Sequence, residues 1–396
     1  MRILLISRCP PWPLYLGDRL IVYHLAEELE ARHHEIDLLA FYDRPDDPDQ
    51  QQHYDHRFAS VRLIPESRRT QFSYLQRLLL PAARFPRSAA HSWSPEMWQA
   101  IQQQLDTHHY DAIHLFGGVH VYEFARALRG QPALITPYES YSLYLRRALE
   151  ASPAPALHPR RLAHTIARRF ESFMFTPYHR TIVVSEKDRD ELLALNPELP
   201  VEVIPNGVDI YEFRPRPVTR VPALLFVGNY EYAPNVDAAL RLATRIFPQI
   251  RQQVPQARLW LVGNAPPPEL QALASPDIRV TGRVPDVRPY LARASAFVSP
   301  LYLGAGIKNK VLEALAMGCP LVATPLSVDG IAVQDGQHAL VADAASMVPA
   351  AVRILQDPDF RQRLSVNGRQ LIESSYSWDS VARRYEDLYR NLPNLH

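Results

Sequence analysis

The chain has 396 residues, of which 47% are hydrophobic and 21% charged, and its formal net charge is +1. This composition is typical of a globular protein, excludes a disordered chain and gives no sign of a nucleic-acid-binding surface. The length exceeds that of one ordinary domain, so two domains are expected. Cys9 and Cys319 are the only cysteines, which excludes a disulfide framework or a zinc cluster and favours a reducing cytoplasm.

The amino-terminal run RILLIS, residues 2–7, predicts a buried first strand. It is too short and too rich in arginine to be a signal peptide. The sequence contains no run of about 18 or more apolar residues, the length that a membrane-spanning helix needs, so such a helix is not expected. The segment Arg160–Phe175 is basic and amphipathic. This pattern fits a surface helix or, as the alternative, a helix that lies on a membrane surface.

Short aliphatic runs alternate with helical patterns along nearly the whole chain. After RILLIS the runs are IDLLAF, VRLI, DAIHLF, ALIT, TIVV and VEVI, followed by ALLFVG, RLWLVG, IRVT, AFVSP and PLVAT. The clearest helical patterns cover residues 19–32, 236–253, 287–294 and 310–317. Apolar strands that alternate with helices predict parallel sheets covered on both faces. The expected fold class is therefore α/β, with the same architecture repeated twice.

The segment Glu212–Pro222 contains three prolines, which exclude a regular helix and stiffen a connection. We therefore expect a first domain over residues 1–215 and a second over residues 216–376. The remaining residues, 377–396, predict a helix that begins after a cap at Ser377 and carries an apolar stripe of Val381, Tyr385 and Leu388. This stripe must dock against another part of the chain.

The segment Leu301–Pro320, LYLGAGIKNKVLEALAMGCP, carries the strongest functional signal. The chain has only three lysines, and two of them, Lys308 and Lys310, lie here. Gly304 and Gly306 permit backbone conformations that let a ligand approach the main chain. The helix start that follows offers N–H groups and the positive end of a dipole. These features predict a cradle for a diphosphate, with a turn that serves packing alone as the alternative.

Glu313 lies three residues after Lys310 and on the same helix face, so an ion pair between them is one interpretation. The other is that the carboxylate accepts hydrogen bonds from ribose hydroxyls. Local spacing leaves both open. Lys308 would lie about 200° around the axis from Lys310 if both were helical. We therefore expect Lys308 in the last turn of the loop, facing the ligand cleft.

Two other apolar strands end in Gly-Asn, at Gly228–Asn229 and at Gly263–Asn264. Ligands of doubly wound sheets gather beyond the carboxyl ends of the strands. Each pair is therefore a candidate for ligand contact, with a simple tight turn as the alternative. The turn at Arg283–Val284 follows another predicted strand, and its backbone could meet the edge of a base.

Several longer motifs occur in a fixed order: VIPNGVDIYEF, LLFVGN, PNVDAAL, LWLVGNAPPPEL, VTGRVPDVRPYLARASAFVSPL and GAGIKNKVLEALAMGCPLVATPLSVDGI. Together they resemble the retaining, nucleotide-sugar-dependent glycosyltransferases of group 1, in particular a bacterial branch with G-x-G-x-K-x-K-x-L-E-A loops. The amino half is more loosely similar, and the resemblance covers essentially the whole chain. It implies the GT-B fold, with two Rossmann-like domains facing a cleft and a last helix that crosses back to the first domain.

The resemblance also implies the roles of particular residues. The donor diphosphate would bind the loop Gly304–Lys310, Glu313 would bind the ribose, and Gly17 would face the donor phosphates across the cleft. The implied donor-binding residues are Gly17, Gly228, Asn229, Gly263, Arg283, Val284, Leu303, Gly304, Ala305, Gly306, Ile307, Lys308, Lys310 and Glu313. The helix dipole and basic side chains would stabilise the leaving diphosphate, so neither a metal nor a cofactor is expected.

The sequence departs from the family pattern at two positions. The family's glutamate eight residues before the ribose-binding one is Ala305 here, and its H-x-H run is HLF, with Phe116 in the second histidine position. His120 could replace that histidine or be merely exposed, and Glu139 could supply a polar group or cap a helix. The predicted catalytic residues are accordingly Lys308, Lys310, Glu313, His120 and Glu139. The two lysines would also replace an Arg…Lys pair that the family usually has after its VG strand.

The resemblance implies transfer of a sugar from a nucleoside-diphosphate sugar to a carbohydrate or lipid-linked acceptor, with retention of configuration. The alternatives are a catalytically silent nucleotide-binding scaffold for a partner transferase and a sugar-nucleotide epimerase. A nicotinamide-dependent oxidoreductase is disfavoured because no G-x-G-x-x-G turn follows the first strand. The expected location is the cytoplasm, with peripheral contact at the inner face of the membrane as a further expectation. No nucleic-acid partner is expected, and the sequence names neither the sugar, the base, the acceptor nor the oligomeric state.

Overall fold

The computed structural model describes residues 1–14, 17–151, 155, 158–304 and 306–393. The chain forms two compact units. The first comprises Met1–Pro205 together with the chain from Val381 onward, and the second comprises Asn206–Ser380. Each unit holds a parallel sheet with helices, so the predicted α/β class is confirmed. The domain limits after residues 215 and 376 stay predictions.

The sheet of the first unit is built from the apolar runs of the first half of the sequence. Its strands are β1 (Arg2–Ser7), β2 (Glu35–Tyr42), β3 (Ser60–Pro65), β4 (Ala112–Phe116), β5 (Ala133–Tyr138), β6 (Arg180–Val183) and β7 (Val201–Val203). Within the described residues their order is β3-β2-β1-β4-β5-β6-β7. The order reverses between β1 and β4, and in doubly wound sheets ligands bind at the carboxyl ends of the strands beside such a reversal.

Helices connect these strands, and polar caps mark where several of them begin. They are α1 (Gly17–Ala31), α2 (Gln71–Leu79), α3 (Pro95–Thr107), α4 (Tyr141–Ala151), α5 (Pro159–Glu171) and α6 (Glu186–Leu195). The side chains of Thr70, Ser94 and Ser185 accept hydrogen bonds from the first turns of α2, α3 and α6. Each cap satisfies an amide group that the helix itself leaves unpaired. The predicted helix over residues 19–32 corresponds to α1.

The second unit repeats the architecture with a smaller sheet. Its strands are β8 (Val221–Val227), β9 (Arg258–Val262), β10 (Ile278–Val280), β11 (Ala294–Ser299), β12 (Leu321–Ala323) and β13 (Leu340–Val341). Their order in the described part of the chain is β10-β9-β8-β11-β12-β13. The order reverses between β8 and β11, which places a second predicted ligand edge at the carboxyl ends of these strands.

The helices of this unit are α7 (Ala233–Arg241), α8 (Phe247–Gln253), α9 (Pro268–Gln271), α10 (Arg288–Arg293), α11 (Asn309–Ala316), α12 (Met347–Gln356) and α13 (Pro358–Ser375). The single helix predicted over residues 236–253 is observed as α7 and α8 joined by a π-helical turn at Leu242–Ile246. Pro248 provides the reason, because it cannot donate the backbone hydrogen bond that would continue a regular α-helix.

The last helix, α14 (Trp378–Arg390), begins where the sequence predicts, since the Ser377 hydroxyl accepts a hydrogen bond from the Ser380 amide at 3.2 Å. From Val381 onward the chain belongs to the first unit. Its buried stripe is Val381, Tyr385 and Tyr389, a spacing of about one helical turn. The hydroxyl of Tyr389 lies 2.7 Å from the ring of His114 on β4, so this stripe completes the core of the first unit.

Candidate functional site

The predicted donor-binding residues of the second unit follow the carboxyl ends of four adjacent strands. The turn Arg283–Val284 follows β10 and Gly263 follows β9, whereas Gly228–Asn229 follows β8 and the loop 303–310 follows β11. These strands lie side by side in that order, so the residues span about 14 Å along one edge of the sheet. The fold therefore brings to one edge of the sheet segments that are as much as 82 residues apart in the sequence.

Two of the glycines at this edge have a structural role. Gly263 has φ +150, and a Cβ added there would lie 1.8 Å from the carbonyl oxygen of Gly228. The amide of Gly263 also donates to the carbonyl of Gly282 at 3.2 Å. Only glycine allows three strand ends to approach this closely. The packing interpretation therefore holds for Gly263, whatever it also contacts when a ligand is bound.

The glycine loop after β11 leads directly into α11. Gly304 and Gly306 have φ +122 and +64, conformations that favour glycine; Ala305 lies outside the described residues. Lys308 is the extended residue before α11 and lies outside the helix, as predicted. Its ammonium group donates to the carbonyl oxygen of Gly306. The other predicted loop residues, Leu303 and Ile307, are half-buried and buried respectively.

Lys310 points its ammonium group at the segment that follows β8. It donates to Asn235 Oδ1 and lies 4.8 Å from the centre of the Phe226 ring. The Asn235 amide in turn donates to the carbonyl of Asn229 at 2.7 Å, which orients its oxygen towards the lysine. Burial lowers the pKa of Lys310 to about 7, the charge of Lys308 lowers it further and Glu313 opposes the shift. An anion beside Lys310 would therefore restore its positive charge.

Glu313 presents a carboxylate that the described residues leave without a hydrogen bond or ion pair. The predicted pairing with Lys310 across one helical turn is not formed within 4.0 Å among those residues. Burial raises the pKa of Glu313 to about 7, an effect that Lys310 opposes and the charge of Glu212 increases. A half-buried carboxylate of this kind is ready to accept hydrogen bonds from hydroxyl groups.

Two residues of this edge escaped the sequence analysis. Asn235 holds Lys310, and the hydroxyl of Tyr232 would lie 3.5 Å from a Cβ placed on Gly304. Tyr232 directly precedes α7 and Asn235 lies in its first turn, a few residues after the end of β8. The motif PNVDAAL includes Asn235, so its position in the first helical turn after a strand end was the available signal. No local pattern pairs it with a lysine 75 residues later.

The first unit has its own cavity at the carboxyl ends of β2 and β3. Its volume is about 580 Å³. His120 lies in this cavity, and its Nδ1 is 2.7 Å from Glu66 Oε1. Arg69 donates to the backbone carbonyl of His120 at 3.0 Å. The other lining residues are Tyr42, Asp43, Arg44, Pro45, Pro65, Ser67, Arg68 and Tyr74.

The electrostatics of this cavity keep the histidine neutral. Burial lowers the pKa of His120, the hydrogen bond to Glu66 opposes this shift, and the charges of Arg69 and Arg8 reinforce it. Burial alone would raise the pKa of Glu66, but the hydrogen bond to His120 and the charges of His120, Arg69 and Arg8 lower it. A neutral ring that donates from Nδ1 to a carboxylate keeps its Nε2 lone pair for another partner.

The remaining predicted residues of the first unit have different positions. Glu139 does not line the cavity of His120, and the cap of α4 is Ser140, whose hydroxyl accepts from the Leu143 amide at 3.2 Å. Gly17 is the first residue of α1, after β1. His114 is buried on β4 and bonded to Thr136 at 2.7 Å, and burial lowers its pKa to about 3. His114 is therefore part of the core.

A further groove of about 670 Å³ lies at the amino-terminal ends of β9 and β10, beside Trp260 and Tyr290. None of the predicted donor-binding residues that the structure describes lines it. Its position at the opposite ends of the strands separates it from the edge at which parallel sheets bind ligands.

Comparison with known proteins identifies two family profiles in the chain. The profile described as "Glycosyl transferases group 1" matches residues 221–357. The profile described as "Glycosyltransferase Family 4" matches residues 20–212. The first match contains the glycine loop, α11 and Glu313, and the second contains His120 and Glu66.

Several characterised proteins are similar over part of their length. A glycogen synthase of Mycobacterium tuberculosis is 30% identical over 236 residues, which are 55% of this chain and 56% of that protein. A GDP-mannose-dependent alpha-(1-6)-phosphatidylinositol monomannoside mannosyltransferase of the same species is 29% identical over 222 residues, 50% of this chain and 57% of that protein. The aligned part thus spans little more than half the length of these relatives.

Solved structures with low sequence identity share the fold over the whole chain. Sucrose-phosphate synthase from Thermosynechococcus elongatus has a TM-score of 0.72 at 20% identity, with 98% of each chain covered. Anabaena HepE, crystallised with UDP, has a TM-score of 0.73 at 14% identity, with 99% of this chain and 100% of that chain covered. The parallel sheets, the two family profiles and these likenesses agree, and the chain belongs to the group 1 glycosyltransferases with the GT-B fold.

Proposed function

We propose that the protein transfers a sugar from a nucleoside-diphosphate sugar to a carbohydrate or lipid-linked acceptor, with retention of configuration and without a metal ion or cofactor. The mannosyltransferase relative depends on GDP-mannose, and HepE was crystallised with UDP. Both ligands are nucleoside diphosphates or their sugars. The pathway to which such a transfer belongs would be polysaccharide or glycolipid biosynthesis.

One observation carries this proposal: cations and an unpaired carboxylate lie within one turn of each other at the start of α11. Lys308 and Lys310 bring two ammonium groups to the glycine loop, and the amides of Asn309 and Lys310 donate no hydrogen bond within the described residues. Glu313 adds a carboxylate that forms no hydrogen bond or ion pair with the described residues. Cations and helix amides suit a diphosphate, and the carboxylate suits a ribose diol.

The cations also supply the chemistry of the leaving group. When the bond between sugar and diphosphate breaks, negative charge develops on the diphosphate. Lys308, Lys310 and the positive end of the α11 dipole would stabilise that charge without a metal ion. In the front-face scheme of retention, the leaving phosphate helps to remove the acceptor's proton, so no protein nucleophile is required.

We further propose that the cavity of the first unit binds the acceptor. His120, held by Glu66, offers Nε2 to an acceptor hydroxyl, while Arg68 and Arg69 suit an anionic or hydroxyl-rich ligand. His120 would orient the acceptor rather than form a bond to the sugar. Glu139, which lies outside this cavity, remains a candidate for a polar contact elsewhere.

Calorimetric titration with UDP, GDP and ADP tests the donor site. We expect one of these nucleotides to bind, and Glu313→Ala to weaken that binding about ten- to hundredfold, because each hydrogen bond to a charged acceptor contributes about 1.5–3 kcal/mol. The matched control is Glu269→Ala, an exposed carboxylate of the same unit. The 2′,3′-dideoxy nucleotide should bind both wild type and Glu313→Ala weakly. If it discriminated between them as strongly as the ribonucleotide does, the ribose assignment would be wrong.

A catalytically silent nucleotide-binding subunit is the second candidate. Its support is the loss of two family side chains, at Ala305 and Phe116. Release of nucleoside diphosphate from the donor sugar in the presence of a panel of acceptors separates the two functions. Binding without release would favour the silent subunit, and isomerisation of the sugar without an acceptor would indicate an epimerase.

The location proposed for the protein is the cytoplasm, at the inner face of the membrane. Its support is the cysteine content and the composition of the chain. In the described residues no helix combines the length and the apolar character that crossing a membrane requires.

A further inference from the structure

Helix α2 turns apolar side chains towards the solvent. Phe72, Leu75 and Leu79 are 75%, 49% and 64% exposed, and they lie within an arc of about 60° on one face of the helix. Leu80, the next residue, is 52% exposed. Water-exposed helix faces normally carry polar residues. An apolar outer face of this kind marks a surface that binds something.

The inward face of α2 explains why the helix cannot simply turn over. Arg77 is buried, forms an ion pair with Glu123 and lies 4.2 Å from the centre of the Trp93 ring. Tyr74 packs against the rings of Trp93 and Phe170. Rotation of the helix would expose these rings and leave the buried Glu123 carboxylate without its cation, which is costly. The apolar residues therefore stay outside.

Helix α5 lies beside α2 and carries a group of arginines. Tyr74 of α2 and Phe170 of α5 have ring centres 5.8 Å apart. The exposed residues Arg160, Arg168 and Arg169 form no ion pair within the described part of the chain. Leu162 on the same helix is 63% exposed. Helix α2 thus exposes apolar side chains, and the neighbouring α5 exposes mainly basic ones.

The charge of this region is one-sided. Residues 67–95 contain five arginines and no Asp or Glu, and residues 151–170 contain four arginines and no Asp or Glu. The whole chain has a net charge of only +1, so this separation of charge is local. We call the exposed residues of α2 and α5, with Leu80, the α2–α5 surface. It offers apolar side chains within a positive field.

We propose that the α2–α5 surface docks the protein on an anionic lipid bilayer. Phe72, Leu75, Leu79 and Leu80 would enter the boundary between headgroups and acyl chains, and the arginines of α5 would bind headgroup phosphates. A second copy of the chain is a poorer occupant, because a symmetric contact would bring the same arginines face to face. An acidic lipid surface complements both the charge and the apolar side chains.

Cosedimentation with lipid vesicles tests the proposal. The full-length protein should bind vesicles of phosphatidylcholine mixed with phosphatidylglycerol, and bind vesicles of phosphatidylcholine alone at least about tenfold more weakly, since each arginine near an anionic surface contributes about fivefold. The triple variant Phe72→Ser/Leu75→Ser/Leu79→Ser should lose binding to both. Equal binding of wild type to the two vesicle types would overturn the proposal.

A charge variant with a matched control sharpens the test. Replacing Arg160, Arg168 and Arg169 with glutamine should weaken binding to the anionic vesicles about 100-fold. The control removes three exposed arginines of the second unit in the same way: Arg245, Arg258 and Arg293. An equal loss in both variants would show that total charge, and not this surface, drives binding, and would refute the proposal.

Two further measurements keep the result interpretable. Thermal melts check that every variant is folded, because the substituted side chains are solvent-exposed and their removal should leave the melting temperature nearly unchanged. Sedimentation velocity without lipid checks for self-association. If wild type formed a dimer that the serine variant abolished, and bound no vesicles, the surface would be a contact between copies and the lipid proposal would fail. The proposal does not depend on sugar transfer, so its outcome is separate from that of the nucleotide titrations.

Discussion

Lys310 should make the binding of nucleoside diphosphates depend on pH. Its pKa is lowered to about 7 in the unliganded protein, chiefly by burial. A bound diphosphate would place negative charge beside the ammonium group and return the pKa towards its ordinary value of about 10.4. Above pH 7 the protein would therefore take up a proton when it binds, and binding would weaken as the pH rises.

Proton linkage sets the size of this effect. Affinity should fall roughly tenfold for each pH unit above 7, and should level off below it, where Lys310 is already charged. The variant Lys310→Met should bind the nucleotide about 10- to 150-fold more weakly than wild type at neutral pH. This range corresponds to the loss of about 1.5–3 kcal/mol, the contribution of a charge-assisted hydrogen bond. Burial raises the pKa of Glu313 to about 7, so this carboxylate loses its charge as the pH falls. Its protonation therefore affects nucleotide binding below pH 7, whereas that of Lys310 affects it above pH 7.

Calorimetric titrations from about pH 7 to about pH 9 measure the slope. The second phosphate ionisation of the nucleotide, with a pKa of about 6, lies below this range. Lys310→Met should show no slope, and Lys187→Met, which removes an exposed lysine of the first unit, should behave as wild type. A wild-type affinity independent of pH, or a slope that persists in Lys310→Met, would refute the reasoning.

Three further predictions concern stability and the cavity of the first unit. Gly263→Ala should destabilise the protein more than Gly282→Ala in thermal melts. A Cβ at residue 263 would lie 1.8 Å from a carbonyl oxygen, whereas a Cβ at residue 282 meets nothing within 4 Å and adds only the strain of a left-handed backbone, about 1–2 kcal/mol. Equal losses of stability would contradict this prediction. Burial lowers the pKa of His114 to about 3, below its ordinary value of about 6.5. The free energy of unfolding should therefore fall by about 1.4 kcal/mol for each pH unit below 6.5, because the unfolded chain can protonate this ring and the folded chain cannot. Urea titrations of His114→Gln should show a shallower acid profile, and an unchanged profile argues against it. Glu66→Gln should lower the pKa of His120 further, and a ring titration by NMR that finds no change would reject the pairing.

The order of strands and helices could be predicted because it follows from local patterns. An apolar run such as residues 2–7 indicates a strand, and residues 310–317 show helical spacing, without reference to the rest of the fold. The prediction for residues 236–253 missed the π-helical turn at Leu242–Ile246, although Pro248 was a local signal for an interruption. Leu388 was expected in the stripe of the last helix, but Tyr389 is buried instead, because several nearby positions fit the same spacing.

The glycine loop and the lysines could likewise be found from residue types and spacing. The sequence left two interpretations of Glu313 open, and the tertiary structure argues against one of them: Lys310 reaches Asn235, and the ion pair with Glu313 is not formed among the described residues. The ribose contact stays a prediction. A lysine side chain has several partners within reach on a folded surface. Which one it takes depends on a helix that is 75 residues away in sequence.

The amino-acid sequence by itself determined the α/β class, the repeated architecture and the cluster of glycines and lysines at the start of one helix. Only the tertiary structure decided that His120 shares a cavity with Glu66, that His114 belongs to the core, and that α2 presents its apolar face to solvent. The physical reason is that periodicity records which residues are alike along one element. Burial, pKa and hydrogen-bond partners depend instead on side chains brought together from strands and helices far apart in the chain.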